Sequence, residues 1–471
     1  MSQKFPISKL ALALFALSAA SLTQAAGLDR SGQDIKGFFN TGTYAEVDFA
    51  YIDTKVSAHD NAGAIRTSPT TEIRNGITKT EADYEKGAST GNATPDSYNF
   101  MRYGVKADVN DIVSIGVFYD EPFGAEVEYS GDNTFVSKAG KQTIANPATG
   151  QSVPNEVINS SVLDPNYNKN TNVSVHTETW TGLIGFKSNG FQVYGGPVMQ
   201  KAKADVHLRG QAYGPLTGYD ANVNADTDYG WVAGLAYSKP EIALKAALTY
   251  RSEIEHKTDI AERVPLLGVP FLKGIALEKL GIDPNSALGQ SIGEYATTNA
   301  TVTTPESVNL NIETGLSEKY QLLGTLDVRW VPWSDFSIVP PLYNAYSKAS
   351  APEGVPVSSF DGLPLLSYEK DQWKVDVGLA KRFNEKLAGS VVVGYDSGAG
   401  DPVSSLGTIE GFYSIGGGVK YNVTPEWAVS FGGKYLKFGD ATGQLPNGSI
   451  VSKAEDNDGY IAGVKLSYQS Q

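Results

Sequence analysis

The chain has no cysteine, few charges and no long apolar run after its first twenty-five residues. The absence of cysteine rules out a disulfide framework and is compatible with export to an oxidising compartment. Beyond the leader, no stretch approaches the roughly 18 consecutive apolar residues that a membrane-spanning helix requires. Charged residues make up only 19% of the sequence, which is low for a soluble surface. A membrane protein of this composition must cross the bilayer with strands.

The first twenty-five residues have the parts of a secretory signal peptide. Lys4 and Lys9 precede an apolar run from Leu10 to Ala20, and the residues before Ala26 suit cleavage there. We therefore predict a signal peptide over residues 1–25. The net charge of −14 for the whole chain argues against a nucleic-acid partner.

The breaks between apolar segments alternate strictly between short and long. The short breaks are Asn110-Asp111, Lys187-Ser188-Asn189-Gly190, Ser238-Lys239-Pro240, Ser317-Glu318-Lys319, Asn384-Glu385-Lys386 and Asn422-Val423-Thr424-Pro425. The long polar stretches cover 57–96, 130–172, 210–228, 258–305, 335–366, 398–410 and 438–456. Thirteen connections join fourteen strands, with tight turns at one rim and long loops at the other. This arrangement predicts an all-β fold, a transmembrane antiparallel β-barrel of 14 strands.

The predicted strands alternate apolar and polar side chains, as the wall of a barrel in lipid requires. In the last strand, one face carries Tyr460, Ala462, Val464, Leu466 and Tyr468. The opposite face carries Gly463, Lys465 and Ser467. The sixth, seventh and eighth strands are predicted over 229–237, 242–257 and 307–316. A wall of this size encloses a lumen wider than side chains alone fill, so something should line or occupy it.

Several runs resemble the FadL-like family of long-chain fatty acid and hydrophobic-compound transporters of the outer membrane. The runs are AGLDRSGQ at 26–33, FYDEPFGAEVEY at 118–129, LTYRSEIEHK at 248–257, LDVRWVPWSDF at 326–336 and KDQWKVDVG at 370–378. The resemblance implies a monomeric barrel, formed by residues 44–471, with a short N-terminal hatch over residues 26–43 inside its lumen. It also implies passive uptake of hydrophobic molecules, most of all long-chain fatty acids, with capture at the extracellular loops and a sideways exit through the wall.

The third predicted strand contains Pro122, Phe123 and Gly124 in its middle. Proline removes a donor from the hydrogen-bond ladder and glycine weakens pairing, so a bulge or kink is expected there. Together with the resemblance, this pattern predicts a lateral opening at these residues, and no other predicted strand shows such a break. The alternative is that the strand ends near Tyr119 and that Pro122 begins a surface turn.

A row of charged residues shares one face of the fifth predicted strand. Its members are Lys201, Lys203, Asp205, His207 and Arg209. Lys or Arg on a lipid face at mid-depth costs about 2–4 kcal/mol, so this row should face the lumen or stand above the membrane. Lys201 and Lys203, which resemble the family's basic strand-5 positions, and Arg209 are candidate ligands for a fatty acid carboxylate. The alternative is that these charges pair with carboxylates on neighbouring strands.

Two apolar segments are further candidates for ligand binding. In the loop after the seventh strand, Leu272, Ile275 and Leu280 have helical spacing, which places them on one face of a short helix. That face either captures a hydrophobic ligand or packs on another loop as the core of a lid. Phe38 and Phe39 in the hatch either line a lumenal pocket or anchor the plug.

The sequence has no motif that indicates catalysis. It lacks a Gly-x-Ser-x-Gly elbow, a His-Glu-x-x-His pair and a Walker loop, and its four histidines lack metal-ligand spacing. No cofactor or metal site is predicted; the expected partners are hydrophobic small molecules, outer-membrane lipid and lipopolysaccharide. A general porin and an outer-membrane barrel enzyme of the lipase or protease kind remain the alternative functions.

Overall fold

A computed structural model describes residues 28–60, 89–92, 97–131, 133–136, 143–145, 152–154, 170–348 and 355–470 of the chain. The predicted signal peptide, residues 1–25, lies outside the described residues. Within the described ranges, no helix is both long enough and apolar enough to cross a membrane.

The structure is a closed antiparallel barrel of fourteen strands. Seventeen hydrogen-bonded segments form the wall, because three strands consist of two segments each. The strands are β1 Tyr44–Lys55, β2 Ser97–Asp108, β3 Val113–Asp120 with Gly124–Glu128, β4 Asn172–Ser188, β5 Phe191–His207, β6 Asp220–Lys239, β7 Leu244–Arg251 with Ile254–Arg263, β8 Tyr295–Thr304 with Ser307–Ser317, β9 Leu322–Val331, β10 Gln372–Arg382, β11 Leu387–Asp396, β12 Glu410–Asn422, β13 Trp427–Gly439 and β14 Asp458–Gln469. Pairing of Tyr44 in β1 with Gln469 in β14 closes the barrel, so the predicted fold class is confirmed.

The predicted tight turns are present at one rim, and local chemistry explains them. Between β4 and β5, Asn189 and Gly190 have φ angles of 50° and 84°, the left-handed pair that a two-residue hairpin requires. Between β10 and β11, the Asn384 side chain accepts hydrogen bonds from the N–H groups of Lys386 and Leu387, both at 2.9 Å.

Two belts of aromatic side chains surround the barrel on its outer face. The inner belt, beside the tight turns, includes Phe186, Phe191, Tyr320, Phe383, Tyr421 and Trp427, all exposed. The outer belt, towards the long loops, includes Trp180, Tyr229, Trp231, Trp373, Tyr413 and Tyr460. Exposed valine, leucine and isoleucine side chains lie between the belts, among them Val193, Leu248, Val391 and Val393. An apolar band between aromatic girdles identifies an integral protein of the bacterial outer membrane.

Three wall strands differ from the predicted ones above the outer belt. β6 begins at Asp220, β7 continues to Arg263 and β8 begins at Tyr295, so each extends well beyond its predicted limit. The extension of β7 pairs with that of β8 from Ile254 opposite Thr304 to the far end of the hairpin. Outward side chains are polar here because this part of the wall stands above the hydrocarbon. The apolar–polar alternation expected of a lipid-facing strand therefore did not predict these extensions.

The long loops fold over the outer mouth of the barrel. They contain α-helices α1 Pro270–Lys279, α2 Ala287–Ser291 and α3 Pro341–Ser347, with 3-10 helices at Gln211–Leu216, Pro265–Gly268, Trp333–Asp335 and Val357–Ser359. Their apolar side chains form one large buried cluster with the inward residues of the wall, here called the lid core. Its members include Tyr129, Phe135, Tyr219, Leu266, Leu272 and Tyr343.

Three long loops also form a separate five-stranded sheet outside the barrel. They are the loops that join β1 to β2, β11 to β12 and β13 to β14. The strands of this sheet are Ser57–Asp60, Ser89–Asn92, Val403–Ser404, Ala441–Gln444 and Ile450–Ala454. The remaining short strands are Thr143–Ala145 with Ser152–Pro154, and Ser337–Ile338 with Leu366–Ser367.

Candidate functional site

Residues 28–43, the described part of the hatch, cross the lumen and are fixed by polar contacts with the wall. Arg329 in β9 donates two hydrogen bonds to the Asp29 carboxylate, at 2.9 and 2.8 Å, and both side chains are buried. Ser31 donates to Asp120 at the end of the first segment of β3, at 2.7 Å. Lys36 forms an ion pair with Asp327 at 2.9 Å. The wall therefore holds the hatch through charge-assisted bonds, of which the Asp29–Arg329 pair is shielded from water and the Lys36–Asp327 pair is partly exposed.

The inner half of the hatch is also anchored by apolar packing. Residues Lys36–Phe39 form a 3-10 helix, and the Phe38 side chain on it is completely buried. Its ring lies edge-on to Phe118 of β3, with 6.5 Å between ring centroids. Tyr194 of β5 approaches Phe38 at 5.8 Å and Phe39 at 5.1 Å. Phe38 is thus the apolar anchor of the hatch, whereas Phe39 faces an inner cavity of about 100 Å³.

The wall is interrupted in β3, at the predicted position. Asp120 pairs with Thr179 of β4 and Gly124 pairs with His176, so three residues of β3 lie opposite two of β4. Such an extra residue is a β-bulge, which bends its strand. The backbone groups freed by the bulge bond to the hatch: the Gly124 N–H donates to the Leu28 carbonyl and the Arg30 N–H donates to the Pro122 carbonyl, both at 2.7 Å.

A gap between β2 and β3 opens above this bulge. The two strands pair up to Tyr103 opposite Tyr119, and the next segment of β3 pairs with β4 alone. Arg30 of the hatch occupies the gap, with its guanidinium 4.6 Å from the centroid of the Tyr98 ring. A Cβ atom at Gly124 would come within 2.7 Å of that guanidinium carbon, so glycine leaves the space that Arg30 fills. The hatch therefore closes the opening from inside.

An apolar cavity lies inside the barrel next to the interruption. Its lining includes Leu28, Phe123, Val175, Val302, Trp333 and Ile338. Trp333 is completely buried and packs edge-on against Phe123, with 5.6 Å between ring centroids. The cavity measures about 40 Å³, so an extended ligand fits only when neighbouring side chains or the hatch move.

One side of the cavity carries a buried polar network. His256 of β7 hydrogen-bonds through Nε2 to the Gln200 side-chain oxygen at 3.1 Å and through Nδ1 to Asp226 at 3.2 Å. Thr304 of β8 donates to the same Gln200 oxygen at 2.7 Å, and the Gln200 amide donates to Thr179 at 3.1 Å. His256 and Thr304 also line the cavity, so this network gives it a hydrogen-bonding edge.

The lid core seals the cavity from the medium. Leu272 and Ala276 of α1 are buried in it, with Tyr343 and Tyr346 of α3. Burial raises the pKa of both tyrosine hydroxyls, so they stay neutral. Glu262, at the top of β7, accepts hydrogen bonds from the Leu342 and Tyr343 N–H groups at the start of α3, both at 2.8 Å. This capping fixes the lid to the wall.

No protein-family model and no curated protein sequence matches the chain. Solved structures do match. A Pseudomonas aeruginosa FadL homologue is 13% identical, with a TM-score of 0.62 over 95% of this chain and 96% of that one. A deletion mutant of the TodX monoaromatic hydrocarbon channel is 12% identical, with a TM-score of 0.50 over 92% of each chain. The Ralstonia pickettii toluene transporter TbuX is 11% identical, with a TM-score of 0.49 over 92% of this chain and 91% of that one.

The chain has the FadL-like fold. The resemblance predicted from the sequence is confirmed at this level. In this FadL-like barrel, the residues predicted for the lateral opening, Pro122, Phe123 and Gly124, lie at the bulge of β3 and contact the hatch.

The predicted carboxylate ligands lie on β5 and just after it. Lys201 and Lys203 are exposed, on the face opposite the buried Ala204, and Lys203 also borders the apolar cavity. The charged row stands above the outer belt. Of the two positions expected from the cost of a charge in lipid, the lumen or above the membrane, the row thus has the second. Arg209 is buried, but it donates to the carbonyl of Tyr219 at 2.8 Å and forms an ion pair with Asp220. Arg209 is thus already paired with Asp220, and a carboxylate site at these three residues stays a prediction.

The helix predicted after β7 is present as α1, but its apolar face is not an open groove. Leu272 is buried in the lid core, Ile275 packs against that core, and Leu280 is half-buried just after the end of α1. The structure thus has the lid packing that was the alternative reading of this segment.

Three residues of the site were missed from the sequence: Arg30, His256 and Trp333. Arg30 and Trp333 both lie within runs that carried the resemblance, yet neither has a strand pattern or motif of its own. His256 sits on an inward position of β7, and a single buried histidine in an alternating strand gives no signal that separates a polar network from ordinary packing.

Proposed function

We propose that this protein carries hydrophobic compounds passively across the outer membrane, with long-chain fatty acids as the first substrate class. The observation that supports this proposal is the apolar cavity beside the β3 interruption, closed by the hatch through Arg30 and by the lid core above. A hydrophilic porin would need an open aqueous lumen, whereas here the hatch lies across it.

A sideways exit suits such a ligand energetically. Moving a methylene group from water to an apolar phase gains about 0.8 kcal/mol, so a long chain that leaves the cavity directly into the bilayer avoids a large cost. The bulge of β3 supplies the unpaired edge that this route requires, because β2 and β3 are not paired above Tyr103 and Tyr119. Movement of Arg30 out of the gap would open it.

The test restores regular strand structure at the bulge of β3. In the double variant Pro122→Val, Gly124→Thr, the new N–H group should extend strand pairing and the new side chains should displace Arg30. Transport should therefore fall while ligand still binds. Uptake of a radiolabelled fatty acid by intact cells and lipid retained by the purified protein measure the two steps. Pro197→Val, at an exposed position of β5 opposite Trp231 of β6, is the matched control, since it also replaces a strand proline, and it should behave like the wild type.

A second variant changes the gap in the opposite direction. Arg30→Ala removes the side chain that fills the space between Tyr98 and Gly124, so uptake should become faster. If the repaired wall carries fatty acid at the wild-type rate and Arg30→Ala changes nothing, the ligand leaves by another route.

The lining of the cavity also favours a second substrate class, neutral or aromatic hydrocarbons. Phe123, Trp333 and Phe336 supply aromatic faces, and Thr304 adds a hydroxyl group that donates to Gln200. Mass spectrometry of lipids extracted from the purified protein separates the two classes. A carboxylated chain supports the first, and a neutral hydrocarbon supports the second.

A further inference from the structure

The wall has a second interruption, on the side of the barrel formed by β6, β7 and β8. β7 breaks at Ser252-Glu253 and β8 breaks at Pro305-Glu306. Hydrogen-bonded pairing between β6 and β7 stops at Val232 opposite Arg251 and resumes only at Val223 opposite Ile260. The sequence pattern did not reveal this break, so the prediction that β3 alone is interrupted was wrong.

A backbone bond from the Ser252 N–H to the Trp231 carbonyl, at 3.0 Å, marks the lower end of the seam. From there upward, side chains close the seam instead of a backbone ladder. Thr258 donates to the Asn224 carbonyl at 2.7 Å, and His256 meets Asp226 at 3.2 Å. A Cβ atom at Gly230 would lie 2.7 Å from the Cγ1 atom of Ile254, so that side chain fills the space beside the glycine. Side chains can change rotamer without unzipping a strand, which makes this seam easier to open than a paired one.

The seam crosses the boundary between the hydrocarbon and the polar surface of the membrane. Its lower end lies at the outer belt, where the rings of Trp231 and Tyr250 are 5.1 Å apart. The outward residues further up, Glu255 and Lys257, are charged and exposed. A molecule at the level of the lipid headgroups therefore meets the seam directly.

Little material separates the membrane side of the seam from the lumen. An outside recess of about 650 Å³ is lined by Trp231, Tyr250 and Glu306 among others. The apolar lumenal cavity lies behind it, lined by His256 and Thr304. Pro305 and Phe336 line both spaces, so they form the partition between them.

We propose that this seam is a second lateral gate, through which neutral hydrophobic compounds pass between the outer leaflet and the lumenal cavity while the lid stays closed. The inference rests on the proposed transport function and adds a route to it. The β3 opening is closed by backbone bonds and Arg30 of the hatch, whereas this gate is closed by Ile254 and the His256–Asp226 bond. The two gates therefore open independently and face different parts of the wall.

The test clamps the gate in the full-length protein. In the double variant Asp226→Cys, His256→Cys, the two new thiols are linked by oxidation or by a short bifunctional thiol reagent. The chain has no other cysteine that could react. Ala236→Cys with Ala247→Cys, a directly paired position lower on the same two strands, is the matched control. The probe is a fluorescent long-chain alcohol delivered from phospholipid vesicles, and both its association rate and its equilibrium binding are measured.

Clamping should slow association by about tenfold or more, with recovery after reduction, while the control pair changes nothing. Ile254→Ala, which needs no cross-link, should speed association. Equal association rates in the clamped, reduced and Ile254→Ala proteins would overturn the gate and leave the proposed function standing. An absence of alcohol binding in the wild type would overturn the proposed function itself, and the gate with it.

Discussion

At the residue scale, the position of the hatch depends on a few buried charges, of which the Asp29–Arg329 pair has the most complete geometry. Two parallel hydrogen bonds join the guanidinium to the carboxylate, and Arg329 also donates to Gln33 at 3.1 Å and to Asn309 at 2.9 Å. Arginine provides this planar fork and lysine does not. One side chain of the wall thus holds two residues of the hatch.

Arg329→Ala should therefore release the hatch. Removing one partner of a buried ion pair leaves the other charge uncompensated and costs about 3–5 kcal/mol. We expect faster amide hydrogen exchange over residues 28–36 and a higher ionic conductance in planar bilayers. Lys434→Ala is the matched control, since it breaks the buried Lys434–Asp376 pair at 2.7 Å between two wall strands. Equal exchange in the two variants would show that Arg329 does not position the hatch.

The exposure of Lys201 and Lys203 leads to a different prediction for these two residues. Exposed cations above the outer belt can attract a carboxylate or a lipopolysaccharide phosphate, which affects encounter more than final affinity. Lys201→Ala with Lys203→Ala should slow the association of a fatty acid but not of the corresponding alcohol, and only at low ionic strength. An equal change in the association rates of both ligands, or no change at either ionic strength, would show that these residues do not take part in capture.

At the element scale, the lid depends on the burial of one face of α1. Leu272→Ser should loosen the lid, because a fully buried leucine contributes about 1.5–3 kcal/mol relative to an exposed one. We expect more proteolysis of the loop that joins β7 and β8 and a weaker retention of ligand, with normal barrel assembly. Leu280→Ser, at a half-buried position after the helix, is the control and should have a smaller effect. Identical proteolysis of the two variants would contradict the role of the lid core.

The elements differ in how far the sequence could predict them. Strands inside the bilayer were predictable because the lipid forces strict alternation, as in β14, and tight turns were marked by residues such as Asn189 and Gly190. The same rule failed above the outer belt, where the outer face of the wall meets water instead of lipid and β7 carries Glu255 and Lys257 outward. For β5 the alternation was right but did not decide the side, because a charged row is acceptable both in a lumen and above a membrane. Contacts between distant segments, such as that of Arg30 with Tyr98, have no periodic signature at all.

At the scale of the whole molecule, the two belts define how the barrel sits in the membrane. Trp231 and Trp373 mark the outer belt, Trp427 marks the inner belt, and Trp333 is buried in the lumen. In variants that keep a single tryptophan and replace the others with phenylalanine, brominated lipids should quench Trp373 and Trp427 but not Trp333. Added ligand should change the emission of Trp333 alone. Quenching of Trp333 by lipid would contradict the closed wall described here.

The five-stranded sheet outside the barrel has a consequence for detecting assembly. Ser57–Asp60, just after the first wall strand, pairs with Ile450–Ala454, just before the last, directly above the line where β1 meets β14. Segments that are almost 400 residues apart in the chain therefore share one surface, with Ala58 opposite Ala454. An antibody that recognises both segments together would bind a conformational epitope, absent from the denatured chain and from any precursor whose last strand has not yet inserted. Such a reagent would report completed barrels on intact cells.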